Sequence, residues 1–108
     1  MAGIFTESVC SLLTKVPAGH VVTYGSLAAA AGSPRGARQV VRILHTQSLK
    51  RGLPWHRVIA AGGRIALTDP MAADLQRDKL RSEGVEIGIN GRVDLSHYAW
   101  DFSGMAPD

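Results

Sequence analysis

Acidic residues are missing from more than half of this chain. Between Ser8 and Thr68 there is no Asp or Glu, and only nine acids occur among 108 residues. The same span carries Lys15, Arg35, Arg38, Arg42, Lys50, Arg51, Arg57 and Arg64, a local charge of +8 in a chain whose net charge is +3. A solvated surface ordinarily interleaves both signs, and a one-sign field of this kind attracts a polyanion, nucleic acid first among them. Cysteine is nearly absent too. A lone Cys10 excludes an internal disulfide framework and a cysteine-based metal site, and it suits a reducing interior. No apolar run approaches the roughly 20 residues of a membrane helix, and no leader-like stretch is found, so an intracellular protein with no membrane partner is expected, in the cytoplasm or nucleoid of a bacterium or the nucleus of a eukaryote. Repeats, linkers and low-complexity tracts are missing as well. With 45% apolar residues, 108 residues suffice for one modest core. One domain, 1–108, is expected, monomeric and with a mobile tail from about residue 103.

What is present reads as short helices. Ile4, Phe5, Val9, Leu12, Leu13 and Val16 recur at helical spacing, predicting an amphipathic helix over about 4–15 that Pro17 and Gly19 end. Cys10 lies on the shoulder of that stripe, as a small core thiol. Val21-Val22-Thr23 is either an extended connection or a short strand. Thr23 can cap a helix through Leu27 to Ala31, which Gly32 stops. Ser33 caps the next helix, with Pro34 at its first position and an end near Leu44 or His45. Two helices separated by about two residues look like a helix-turn-helix. In the second, Ala37, Val40, Val41 and Leu44 point to the core while Arg35, Arg38, Arg42 and His45 face out. The early arginines oppose the helix dipole, and tiny Gly36 and Ala37 would let a groove approach, so this face reads as one selected to meet an anion.

Thr46 to Gly52 reads as a polar connection. Val58-Ile59 and Arg64-Ile65-Ala66, around Ala60-Ala61-Gly62-Gly63, predict a hairpin or wing. Asp69-Pro70 opens a further helix with Met71, Ala72, Leu75 and Leu80 as its apolar positions, and Glu83-Gly84 ends it. Val85-Glu86-Ile87 and Arg92-Val93-Asp94-Leu95 flank Asn90-Gly91 as a second hairpin, with Tyr98 and Trp100 covering the open side of the core.

The most unusual stretch is Gly52-Leu53-Pro54-Trp55-His56-Arg57-Val58-Ile59, which sets an aromatic, a histidine and an arginine side by side. Together with Val16-Pro17-Ala18-Gly19-His20-Val21-Val22-Thr23-Tyr24-Gly25-Ser26-Leu27-Ala28, Gly32-Ser33-Pro34-Arg35-Gly36-Ala37-Arg38-Gln39-Val40 and Glu83-Gly84-Val85, it resembles the DNA-binding domain of the O6-alkylguanine-DNA alkyltransferases over about residues 4–87. One position departs from those enzymes. Their Pro-Cys-His-Arg motif holds the alkyl-accepting cysteine, and here Trp55 stands in its place. That substitution marks the alkyltransferase-like proteins, the branch this chain resembles. A thiolate can attack an alkyl group, whereas indole offers only an N–H donor. His56 and Glu83 keep the types of the enzymes' base and its orienting acid, but with no nucleophile their remaining job is a hydrogen bond that holds the pocket wall.

The resemblance implies a mainly α fold with a small β wing, a winged helix-turn-helix. It implies a lesion pocket at Tyr24, Pro54, Trp55, His56, Arg57, Val58, Thr68 and Glu83, with Trp55 contacting a flipped base. It implies DNA contacts by Tyr24, Ser33, Arg35, Arg38, Gln39 and Arg42, made in the minor groove, with Arg38 replacing the extruded base and Tyr24 pressing on the phosphate 3′ of it. The expected partners are double-stranded DNA containing O6-alkylguanine and nucleotide excision repair proteins; no catalytic residue, metal or cofactor is implied. Ala66-Leu67-Thr68-Asp69-Pro70 lacks the Gly-Tyr pattern of the enzymes' lid, and Thr68 stands where some alkyltransferase-like proteins have arginine. Val41 and Arg42 fall where the enzymes often have small residues. Two rivals remain open: an alkyltransferase with an unusual acceptor, and a winged-helix regulator that reads sequence.

Overall fold

The computed structural model describes residues 3–102. The expected mobile tail lies outside them. Five α-helices and one two-stranded sheet follow in the order α1 (Ile4–Lys15), β1 (Val22–Thr23), α2 (Tyr24–Ala30), α3 (Ala37–Arg51), β2 (Val58–Ile59), α4 (Pro70–Ser82) and α5 (Leu95–Tyr98), with 3-10 turns at Trp55–Arg57 and Ala61–Gly63. The fold is mainly α with a small β element.

The sheet is a septum between two cores. β1 pairs with β2 in parallel, Val22 opposite Val58 and Thr23 opposite Ile59. Side chains alternate across a strand. Val22 and Val58 therefore join Val9, Leu13, Leu27 and Val40 in a cluster under α1, α2 and α3, while Val21 and Ile59 join Leu80, Val85 and Val93 on the other side. Each fully buried Leu or Ile in these clusters contributes about 1.5–3 kcal/mol relative to exposure. The strand alternative for Val21-Val22-Thr23 thus holds, although its partner is β2 and not a neighbour in sequence. The last described segment is stitched to the same place. Val21 N donates to Tyr98 O at 3.0 Å, and Trp100 N donates to Val21 O at 2.8 Å. Tyr98 packs on the second cluster and Trp100 on the first, so the two aromatics cover both.

Local signals set several helix ends as expected. Thr23 forms a reciprocal capping box with Ser26, Gly32 adopts φ +97° after α2, and Asp69 accepts from Met71 N at the start of α4. Gly84 follows α4 with φ +88°.

Several expectations need correction. α3 begins at Ala37, with Gly36 as its cap, not at Ser33 and Pro34. Residues 33–36 close a turn in which Gly36 N donates to Ser33 O at 2.9 Å. Gly36 does not face outward. A Cβ there would lie 2.9 Å from the Phe5 ring and 3.0 Å from Ser33 Oγ, so its smallness serves packing against α1.

α3 also runs on to Arg51, through what reads as a polar connection. Its last turns are held by side chains: Thr46 Oγ1 donates back to Arg42 O, and Arg51 reaches both Gln47 and Glu7. Gly52, at φ +61°, ends it. On this helix the core takes Val40 and Ile43, and Val41 is exposed.

The wing is reduced to a single antiparallel bridge, Ala60 to Arg64, and the second hairpin to one bridge, Ile87 to Val93. The two loops close on each other instead. Gly63 accommodates the Val93 carbonyl where any Cβ would collide, and Arg64 bridges to Arg92. Finally, α4 buries Ala73, Gln76 and Leu80, while Met71 and Leu75 are 81% and 48% exposed. The helix docks through its amide-bearing stripe. α5, begun by Asp94 accepting from Ser96 N, was not anticipated.

Candidate nucleic-acid interface

The outer side of α3 is cationic. Arg38, Arg42 and His45 are exposed along it, with Arg35 and half-buried Ser33 in the turn before it and exposed Gln39 beside Arg38. None of these arginines makes an ion pair among the described residues. Of the eight cations in the acid-free span, Arg51 and Arg57 alone make ion pairs among the described residues, the first with Glu7 at 2.8 Å and the second with Glu83 at 2.7 Å. The surface field therefore survives folding.

A concavity of about 550 Å³ opens beside this face. Tyr24 and Trp55 line it together with Leu44, Ser48, Leu67 and Lys79. The sheet explains why Tyr24 and Trp55 meet. Pairing of Thr23 with Ile59 sets the first residue of α2 close to the end of the 3-10 turn that carries Trp55. Val41 and His45 line the same concavity, so one helix presents arginines on one side and pocket wall on the next, with His45 at the boundary. A second concavity of about 840 Å³, between Glu86 and Tyr98, shares no lining residue with the first.

Behind Trp55 lies a hydrogen-bonded cluster. Glu83 Oε2 accepts from His56 Nε2 at 2.8 Å and from Arg57 at 2.7 Å, while Glu83 Oε1 accepts from Arg57 Nε at 3.0 Å. Arg57 also donates to Val16 O at 2.9 Å, tying the end of α1 to the turn and to the cap of α4. The Arg57 guanidinium, aided by His56, holds the Glu83 carboxyl down to about 2 against an ordinary 4.5. Burial pushes the His56 imidazole below its ordinary value despite the carboxylate beside it. An ionised Glu83 requires the proton on His56 Nε2, which leaves Nδ1 as the acceptor of a neutral ring. The Trp55 and His56 rings meet edge to face, 6.3 Å between centroids. An imidazole and a carboxylate are thus held together, and the adjoining residue, Trp55, has no nucleophilic atom.

Of the residues expected in the pocket, Tyr24 and Trp55 line the concavity, and burial raises the Tyr24 phenol above its ordinary value. His56, Arg57 and Glu83 form the support behind it. Pro54 caps the 3-10 turn. Val58 is fully buried in the core. Thr68 is exposed, next to Leu67, which does line the concavity. Cys10 is 4% exposed on the inner face of α1, and burial raises its thiol. It does not line the concavity.

Sequence reasoning missed Ser48 and Lys79, and it missed Gln76. Gln76 is 1% exposed, and its amide donates to His56 O at 3.2 Å and Val58 O at 2.9 Å, fastening the Trp55 turn to α4. Continuing the helical spacing of Val41, Leu44 and His45 would have reached Ser48. Nothing in the local pattern distinguishes Gln76 from a surface glutamine.

A helix-turn-helix with a cationic second helix and an aromatic-walled pocket beside it defines a small domain of nucleic-acid-binding class. The model of the family described as 6-O-methylguanine DNA methyltransferase, DNA binding domain, matches residues 4–85, and the chain belongs to that family. It is 43% identical over 100 residues to the DNA base-flipping protein of Escherichia coli, covering 91% of this chain and 75% of that one. It is 36% identical to Alkyltransferase-like protein 1 of Schizosaccharomyces pombe, covering 89% and 94%. The crystal structure of S. pombe Atl1 in complex with damaged DNA containing O6-carboxymethylguanine superimposes with a TM-score of 0.79 at 35% identity, over 90% of this chain and 94% of that one. The chain thus resembles alkyltransferase-like proteins, in a family whose other members include methyltransferases. Among the described residues no helix is long and apolar enough to cross a membrane.

Proposed function

We propose that this protein is a DNA-damage recognition protein that does no chemistry on its lesion. It binds duplex DNA through α3, extrudes an O6-alkylguanine, and holds the base in the concavity against Trp55. The observation that carries this reading is the pairing of an assembled His56–Glu83–Arg57 cluster with a tryptophan where a nucleophile would stand. The lone thiol offers no substitute, because Cys10 is buried outside the concavity. Support also comes from relatives named for base flipping and from the Atl1 complex with damaged DNA. In this reading Arg38 fills the gap left in the stack and Tyr24 presses on the neighbouring phosphate. Ser33, Arg35, Gln39 and Arg42 hold the backbone, with α3 in the minor groove. Extrusion costs a few kcal/mol, less at a damaged pair, which favours lesions before the pocket is reached. The protein acts as a monomer, and the bound complex marks the site for nucleotide excision repair.

Two measurements test this. A gel shift compares one duplex with and without a single O6-methylguanine; tighter binding of the damaged duplex is expected, and equal affinities would favour a sequence-reading regulator. Incubation with DNA carrying a labelled O6-methyl group should leave the label on the DNA, and label on the protein would make it an alkyltransferase.

A further inference from the structure

Ala72, Gln76 and Lys79 of α4 and Glu83 at its C-terminal cap stand at helical spacing, one stripe on one side of the helix. That stripe is aimed at the Trp55 turn. Gln76 donates to the carbonyls of His56 and Val58, and Glu83 accepts from His56 and Arg57. Lys79 lies between these two anchors and lines the concavity. No carboxylate shares that lining. Glu83, one turn further on, already accepts three hydrogen bonds from His56 and Arg57. Among the described residues Lys79 makes no ion pair. Its charge is nevertheless felt inside the site, since it helps to disfavour protonation of His56. On the same lining, Ser48 Oγ is buried and has no hydrogen-bond partner. Much of the remaining wall is apolar: Leu44, Leu53, Leu67 and Ala72.

An apolar wall with one unneutralised cation complements a group with a short apolar stem and an anionic end. Resting on the lesion-pocket reading above, we propose that Lys79 is a specificity-determining residue. It favours O6 substituents that end in a carboxylate over uncharged substituents of similar size. The ammonium supplies a charge-assisted hydrogen bond that an alkyl group cannot accept, and the absence of a competing acid keeps it available.

The test uses the whole chain and three duplexes that differ at one base: guanine, O6-propylguanine and O6-carboxymethylguanine. Fluorescence anisotropy at fixed salt should show carboxymethyl bound about threefold to fivefold more tightly than propyl, the factor that a partly solvated ion pair supplies. Lys79→Gln should abolish that preference by bringing carboxymethyl binding down to the level of propyl, while Lys79→Arg should retain it. Added salt should narrow it. The proposal is overturned if the parent chain shows no preference or if Lys79→Gln keeps it. It is also overturned if that variant weakens all three duplexes by one factor, which would make Lys79 a phosphate contact. If propyl and unmodified guanine bind alike in the parent chain, the lesion pocket itself is lost together with this inference.

Discussion

Arg38 and Arg57 belong to the same acid-free span, yet they meet opposite fates. Arg38 stands exposed on α3 with no ion pair among the described residues. Arg57, with a side chain 17% exposed, spends its guanidinium on Glu83 and on the carbonyl of Val16. The difference teaches how a strongly basic chain divides its charge. Cations are left unmatched where an external anion can match them, and they are neutralised where the pocket wall has to be rigid. A buried guanidinium without its carboxylate would cost several kcal/mol, whereas an exposed one costs almost nothing.

The sharpest way to break this contrast is to remove the carboxylate. Glu83→Ala leaves Arg57 and His56 without their shared acceptor, and about 3 kcal/mol of stability should be lost in urea denaturation. A loss below about 1 kcal/mol would mean the cluster is not what holds the wall. Acid should reproduce part of this in the unaltered protein. Glu83 is depressed to about 2 from an ordinary 4.5, so its contribution is fully present above about 4.5 and is lost as pH falls toward 2. Glu83→Ala should flatten that acid limb.

A smaller effect is expected at Gln76. Gln76→Leu removes two donors and leaves the His56 and Val58 carbonyls unpaired in a buried place, at a cost of about 2 kcal/mol. Because those carbonyls lie within and just after the Trp55 turn, the variant should also lose discrimination between damaged and undamaged duplexes when assayed at a temperature where it is folded. Unchanged discrimination would confine Gln76 to a packing role.

On stability the least should happen at Arg38. Arg38→Ala should change folding by no more than about 0.5 kcal/mol, since nothing in the fold depends on it. Its binding phenotype should be the opposite, with about a tenfold loss of affinity for an O6-methylguanine duplex. Lys50→Ala is the control. It should mainly lower the slope of log affinity against log salt by about 1, as expected of one released counterion. Equal losses from Arg38→Ala and Lys50→Ala would remove the special role of Arg38.

Much of the fold was legible from short-range chemistry. The first helix, the caps at Thr23 and Asp69, and the glycines that end α2 and α4 are signals that act over a few residues, and they hold. The misreadings share one cause. Ser33-Pro34 looks like a helix start, but the need of Gly36 to fit against Phe5 delays the helix by several residues. Thr46 to Arg51 looks like a loop, but contacts to Gln47 and Glu7 extend the helix through it. Met71 and Leu75 look like core, but the stripe that docks is the one whose amide satisfies two backbone carbonyls.

The same division runs through the candidate site. Trp55 in place of a cysteine, the basic span and the His-Arg pair can be read from residues 8–83 without any fold, because side-chain identity alone limits their chemistry. Which arginine is free, which residue walls the pocket and where Lys79 is aimed depend on partners distant in sequence. Glu83 lies 26 residues from Arg57, and β1 meets β2 across two intervening helices. Composition set the charge and the missing nucleophile. Only the tertiary structure decided which charges are neutralised, because neutralisation requires an acid to be brought within hydrogen-bond reach.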